Sequence, residues 1–187
     1  MIISVAPHII DVAAGVFARH GYERTSVQAI ADAAGYSKAG LLHHFPTKQA
    51  LYEAVLKDCE AATDRVCRHA RGLPVGPDRD RRAIELLVDL SLSRPGLVSL
   101  LLSSIVPMGD DDVSALTPLG DRLFEAFDSP PTPSVRDSSP APSVRYIRIT
   151  GALVALGVLS LQARRTDTAS ETRNEIVQTS FDALGHH

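Results

Sequence analysis

Residues 25–51, TSVQAIADAAGYSKAGLLHHFPTKQAL, read as two short helices joined by a tight turn, with a third helix starting directly after them. Val27, Ile30, Ala31 and Ala34 recur at the i, i+3, i+4, i+7 spacing of a buried helical face, so the first helix runs from about Ser26 to Ala34. Thr25 or Ser26 supplies its cap, because a side-chain oxygen there accepts an otherwise orphaned backbone N–H. Gly35 ends it, since glycine enters the left-handed region without steric cost. Ser37 then caps a second short helix through Lys38, Ala39, Gly40, Leu41 and Leu42. Helix, glycine-bearing turn, helix is the unit whose second member lies in the major groove of DNA.

The flanks extend this plan. An amphipathic helix over about Ala6–His20 carries Ile9, Val12, Ala13, Val16 and Phe17 on one stripe, and Gly21 stops it ahead of Tyr22. Phe45 and Pro46 end the second short helix, because proline disfavours helical geometry in the residue before it. Thr47 caps the next helix, whose stripe is Leu51, Tyr52, Val55, Leu56 and Cys59. Ile9, Phe17, Ile30, Leu41, Phe45 and Leu51 are expected to share one small core.

The start of the second short helix has the chemistry of a nucleic-acid contact. Free N–H groups and a partial positive charge at Ser37, Lys38, Ala39 and Gly40 suit a phosphate. Lys38 reaches a phosphate or a guanine edge, and the small Ala39 and Gly40 let the helix sit deep in a groove. His43 and His44 each offer a ring N–H. Lys48 stands in the first turn of its helix, where a cation opposes the helix dipole; a phosphate ligand would account for it.

The run from Phe17 to Leu51 resembles the N-terminal domain of TetR-family transcriptional regulators, with Phe17, then G-x-x-x-T-S-V-x-x-I-A-x-x-A-G-Y-S-x-A-x-L and H-F-x-T-K-x-x-L in register. The resemblance covers about the first third of the chain. It implies DNA contacts from Thr25, Lys38, Ala39, Leu42, His43, His44 and Lys48, and the helix-start residues Ser26, Ser37 and Gly40 complete the candidate set. Leu42 departs from the tyrosine common at its position. It has no hydroxyl for the backbone and would touch a thymine methyl or only pack.

By the same resemblance the chain is all-α, with about nine helices. Residues 1–50 form a three-helix DNA-binding domain, and 51–187 a larger helical domain for effector binding and dimerisation. The expected partners are a double-stranded DNA operator, a second copy of the chain, and a small apolar or aromatic effector lined by Leu101, Ile105, Met108, Phe124 and Phe127. No cofactor and no metal are expected.

Charge sets a limit on affinity. Up to Asp58, Arg19, Arg24, Lys38, Lys48 and Lys57 are balanced by Asp11, Glu23, Asp32, Glu53 and Asp58, and the whole chain carries a formal charge of −3. Non-specific DNA binding is therefore modest and salt dependent, and two copies on a palindrome are needed, their recognition helices about 34 Å apart. Cys59 and Cys67 lie on one helix and do not reach each other, so no disulfide is expected. The N-terminus lacks the features of a secretory signal, which points to the cytoplasm.

Beyond residue 47 the pattern predicts a long helix to about Arg71, a break at Gly72–Pro77, a helix capped by Asp78 to about Ser93, and a leucine-rich helix from Pro95 that ends at Pro107, Met108 and Gly109. Asp110, Asp111 and Asp112 lack the alternating ligands of a calcium loop and read as a helix-start charge cluster. A helix through Leu116, Leu119, Leu123, Phe124 and Phe127 follows, then a Pro/Ser strap over 128–143. Tyr146–Leu161 is apolar on nearly all sides yet short of the ~20 residues that span a bilayer. With a last helix over about Ser170–Leu184 it is expected to form a dimeric four-helix bundle through Leu153, Leu156, Gly157, Val177, Phe181 and Leu184, with no role for a membrane. The terminal Gly185, His186 and His187 are assigned no function. Two other readings stand beside the regulator: a helical protein-interaction adaptor whose head has lost DNA affinity, and a small enzyme, for which no nucleophile–base pair is spaced suggestively.

Overall fold

A computed structural model of the protein describes residues 5–105, 116–128 and 143–186. Nine helices lie among them: α1 (Val5–Arg24), α2 (Val27–Ala34), α3 (Lys38–His44), α4 (Lys48–Arg71), α5 (Pro77–Ser93), α6 (Pro95–Ser103), α7 (Thr117–Ala126), α8 (Val144–Arg165) and α9 (Ala169–Ala183). Every regular element among the described residues is helical, as the all-α expectation required. Met108, with Pro107, Gly109 and Asp110 to Asp112, falls outside the described residues, as does most of the Pro/Ser strap.

The helix ends are set locally. Ser26, Ser37, Thr47 and Ser143 each accept the backbone N–H three residues on, at 3.0–3.1 Å, which satisfies one orphan donor per helix. Gly35 ends α2 in the left-handed region (φ 73°, ψ 28°), and Gly21 breaks α1 near its end at φ 74°, ψ 164°. One cap differs from expectation. Gly76, not Asp78, is the N-cap of α5, with Pro77 directly after it, and Asp78 and Asp80 sit in the first turn, where their charge complements the dipole.

One contiguous core runs from Ile9 in the first helix to Leu184, the C-cap of the last. The first half of α4 packs under α1, and its later turns pack on α5 and α7, so the division between residues 50 and 51 falls inside a single helix. α1 also lies along α6, and α8 packs on α5, α6 and α9. The far end of α7 is held by arginines. Arg79 donates to the carbonyls of Ala126 (3.0 Å) and Glu125 (2.8 Å), and Arg145 to that of Phe127 (2.9 Å). Arg145 also pairs with the buried carboxylate of Asp80, which takes a second contact from His186 Nε2 at 2.7 Å. The tail to which no role was assigned is thus docked on α5.

The last two helices correct the expected dimer surface. Leu153 and Leu156 of α8 and Val177, Phe181 and Leu184 near the chain end are buried within the one chain, and Gly157 lies against Leu102. α9 turns its apolar stripe inward and keeps Glu171, Asn174, Glu175, Gln178 and Asp182 outside. What α8 leaves exposed is a different stripe: Val144, Ile147, Gly151, Val158 and Leu161, with half-buried Val154 between them. A helix apolar all round carries no phase, so its sequence does not say which side meets its own domain. α8 is also longer than expected, at 22 residues, and its most apolar 18-residue window has a mean hydropathy of 1.5, so by length and composition alone it could cross a bilayer. Its other side, with Ile149, Ala152, Leu153, Leu156, Ser160 and Ala163, is part of the core.

Cys59 and Cys67 are both free and buried. Burial, reinforced by the Asp58 carboxylate, pushes the Cys59 thiol from 9.0 up to about 12. Above 9.0 the unfolded chain releases this proton and the folded chain does not, so stability falls as pH rises between those two values. The slope from Cys59 approaches ~1.4 kcal/mol per pH unit, with Cys67 adding in the same direction. Urea unfolding followed between about pH 9 and 11 should show this loss, and Cys59→Ala should make it shallower; an unchanged slope would mean Cys59 is not shielded.

Candidate nucleic-acid interface

α3 is a short rod held by one buried side chain. Leu41 is fully buried, while Ser37, Lys38, Ala39, His43 and His44 are exposed and Gly40 and Leu42 half-buried. Its N-terminal edge therefore presents a cation, a methyl and free backbone N–H groups to solvent. Ser37 Oγ takes the Gly40 N–H, and a Cβ on Gly40 would stand 3.2 Å from that oxygen, so a small residue suits the position. The two histidine rings meet edge-on at 5.6 Å, and Tyr36 meets His44 the same way at 6.4 Å. Tyr36, absent from the expected set, closes the turn through its N–H to Ala31 O at 2.9 Å and leaves its ring half-exposed beside α3.

Ser26 caps α2 from the exposed side, beside exposed Gln28 and Ala29. Thr25 differs from the expectation. It is only 4% exposed, its hydroxyl donates to Gly21 O at 2.7 Å and its N–H to Tyr22 O at 3.3 Å, so it closes the α1–α2 turn from within and offers its hydroxyl to no outside ligand. Lys48 also finds its partner inside the protein. Its ammonium donates to Tyr22 O at 2.9 Å and stands 4.2 Å from the centroid of the Tyr22 ring. The carbonyls at the end of α1 thus account for a cation in the first turn of α4 without a phosphate. Tyr22 in turn packs with Phe17 and Tyr52, which fixes the end of α1 on α4.

The local charge balance is more favourable than the sequence count. Asp11 and Asp58, two of the acids that offset the cations of the first helices, both face Arg94 between α5 and α6. Asp32 and Glu53 accept from Gln28 and Gln49. Arg94 is invisible to any local motif, because its partners are 36 residues or more away.

Leu101, Ile105, Phe124 and Phe127 are all buried in the one core, and Phe124 stacks on Tyr146 at 4.7 Å. A separate pocket lined by Ser91, Pro95, Val98, Ser99, Leu102, Gly157 and Leu161 has a volume of about 10 Å³, room for one water. Buried hydroxyls on α4 (Thr63) and α8 (Thr150) have no hydrogen-bond partner.

Residues 9–55 match the family described as bacterial regulatory proteins, tetR family. The HTH-type transcriptional regulator RutR of Escherichia coli K12 is 45% identical over 49 residues, which are 26% of this chain and 23% of RutR. The HTH-type transcriptional repressor KstR2 of Rhodococcus jostii is 41% identical over 49 residues, 26% of this chain and 24% of the relative. The matched segment thus spans about a quarter of the length of these curated relatives, and the family match over residues 9–55 contains α2 and α3. The Bacillus subtilis transcriptional regulator FadR, solved in complex with stearoyl-CoA, superposes with a TM-score of 0.53 at 12% identity, over 94% of this chain and 97% of that one. At that identity the likeness is one of fold.

Proposed function

Because residues 9–55 match the tetR family of bacterial regulatory proteins, we propose that the chain represses transcription as a homodimer on a palindromic operator and is released by a small effector. The observation that carries the reading is the edge of α3. Lys38 and Ala39 stand exposed at a capped helix start, and the opposite side of the helix is pinned by fully buried Leu41. Ser26, Ser37, Gly40, Leu42, His43 and His44 complete the DNA-facing surface. Thr25 and Lys48 serve that surface from behind, by fixing the turn and the angle between α1 and α4.

Dimerisation is assigned to the exposed stripe of α8. Val144, Ile147, Gly151, Val154, Val158 and Leu161 follow a 3-4-3-4-3 spacing, the seam of a helix pair, and no charge interrupts them. The effector site is placed among Leu101, Ile105, Phe124 and Phe127. An apolar or aromatic molecule fits this lining. The effector would favour the state in which the paired α3 helices do not match the operator, and affinity for DNA would fall by that difference.

Mobility shift on DNA flanking the protein's own gene tests the reading. Lys38→Ala should weaken binding about tenfold and make the salt dependence shallower, as loss of a groove-edge cation requires. Undiminished binding by that variant would remove α3 from the interface, and no shift by the wild-type protein would favour the adaptor reading.

A further inference from the structure

We propose that Arg94 is a positioning residue for DNA recognition, one that fixes the angle of the α1–α3 head on the second domain and so sets the spacing between the two recognition helices of the dimer. This inference rests on the regulator reading above and assigns part of its geometry to one side chain.

Arg94 is the single-residue corner between α5 and α6, at φ −135°, ψ 65°, where the following Pro95 excludes helical backbone. The two helices bend by 120° there. From this corner one guanidinium reaches both helices that carry the head. Its Nη2 donates to Asp58 Oδ2 of α4 at 2.6 Å, and Nε lies 3.5 Å from Asp11 Oδ1 of α1. Asp11 Oδ1 also accepts the Leu97 N–H at 3.0 Å, so the same carboxylate caps α6. All three side chains are well shielded, at 22%, 16% and 28% exposure for Arg94, Asp11 and Asp58. Beside them the backbones of α1 and α6 touch at Gly96.

The grip is uneven. Arg94 Nε is buried and makes no hydrogen bond, so its hold on Asp11 is ionic only, while its hold on Asp58 is a short charge-assisted bond. α1 is therefore tied more loosely than α4, and any slide of α1 along α6 changes the Arg94–Asp11 separation directly. A planar fork serves two carboxylates at once and an ammonium does not, so lysine is a poor substitute. Without any cation, Asp11 and Asp58 would repel across a half-buried gap and push α1 away from α4.

The test uses the full chain. Wild-type protein selects binding duplexes from a random-sequence pool, and the two half-sites found are then rebuilt at spacings changed in single base-pair steps. Wild type should show a sharp optimum. Arg94→Gln should lose about tenfold in affinity at that optimum and much less one step away, with base preference inside each half-site unchanged, since coupling of this kind amounts to a modest factor. Arg94→Lys should fall between. Loss by an equal factor at every spacing, or no change, would overturn the proposal, because a merely structural role lowers all affinities alike. If circular dichroism shows Arg94→Gln misfolded, Asp58→Asn carries the test by the same criterion, since it keeps the Arg94–Asp11 pair. A pool from which wild type enriches nothing would refute the regulator reading and this proposal with it. An enriched site whose spacing profile the variants do not flatten would refute the positioning role alone.

Discussion

Adding a single methyl at Gly96 should lower the melting temperature by about 6–12 °C, the consequence of roughly 3 kcal/mol of overpacking in a chain of this size. An ideal Cβ there would stand 1.8 Å from Asp11 O, 2.8 Å from Asp11 C and 3.0 Å from Gly15 N. All three atoms are backbone, so no rotamer change relieves the clash and α1 itself must back away from α6. The helix-propensity gain from Gly to Ala, at most about 1 kcal/mol, does not offset this. Gly157→Ala is the control. Its Cβ would come within 2.2 Å of an atom, but that atom is Cδ1 of half-buried Leu102, the far end of a flexible side chain. Thermal unfolding followed by circular dichroism should therefore separate the two variants widely. Equal melting temperatures would mean that α1 and α6 slide apart at little cost, and that the contact between head and second domain is soft.

If the chain pairs through α8 as proposed, the double substitution Ile147→Asp, Val158→Asp should leave it monomeric and weaken operator binding by about two orders of magnitude or more, since paired half-sites then lose their shared tether. Both residues lie on the outer stripe of α8, at 56% and 61% exposure, and neither belongs to the buried core that the other side of the helix builds. Folding of the single chain should survive. Across a two-fold seam, however, each charge would face an apolar partner helix with no counter-ion, at a cost of several kcal/mol per interface. Light scattering reports the mass and near-wild-type helicity reports the fold. A variant that stayed dimeric would place the interface elsewhere. The α9 stripe would remain a poor alternative, because Val177 and Phe181 are already buried in their own chain, with Arg81 stacked over the Phe181 ring at 4.2 Å.

Much of the head could be read from its residues one at a time. Ser26, Ser37 and Thr47 cap the helices that follow them, and Gly21 and Gly35 break the helices that precede them. These are interactions over three or four positions, between groups that the sequence itself places side by side. Thr25 and Lys48, expected to contact DNA, direct their hydroxyl and ammonium to carbonyls of α1, which for Lys48 lie 26 residues back. A cap and a phosphate ligand have the same residue preference as an internal carbonyl clamp, so residue type does not separate them.

The chain's own residues fix an all-helical protein with a capped, glycine-turned pair of helices near its start, because helix ends and buried stripes are local matters of backbone hydrogen bonding and 3.6-residue periodicity. Folding in space settles the rest: which side of α8 is core and which is free, the contact of α1 with Gly96, and the meeting of Asp11, Asp58 and Arg94. Those outcomes depend on distances between groups far apart along the chain, and a helix that is apolar on every side is compatible with more than one of them until its neighbours are in place.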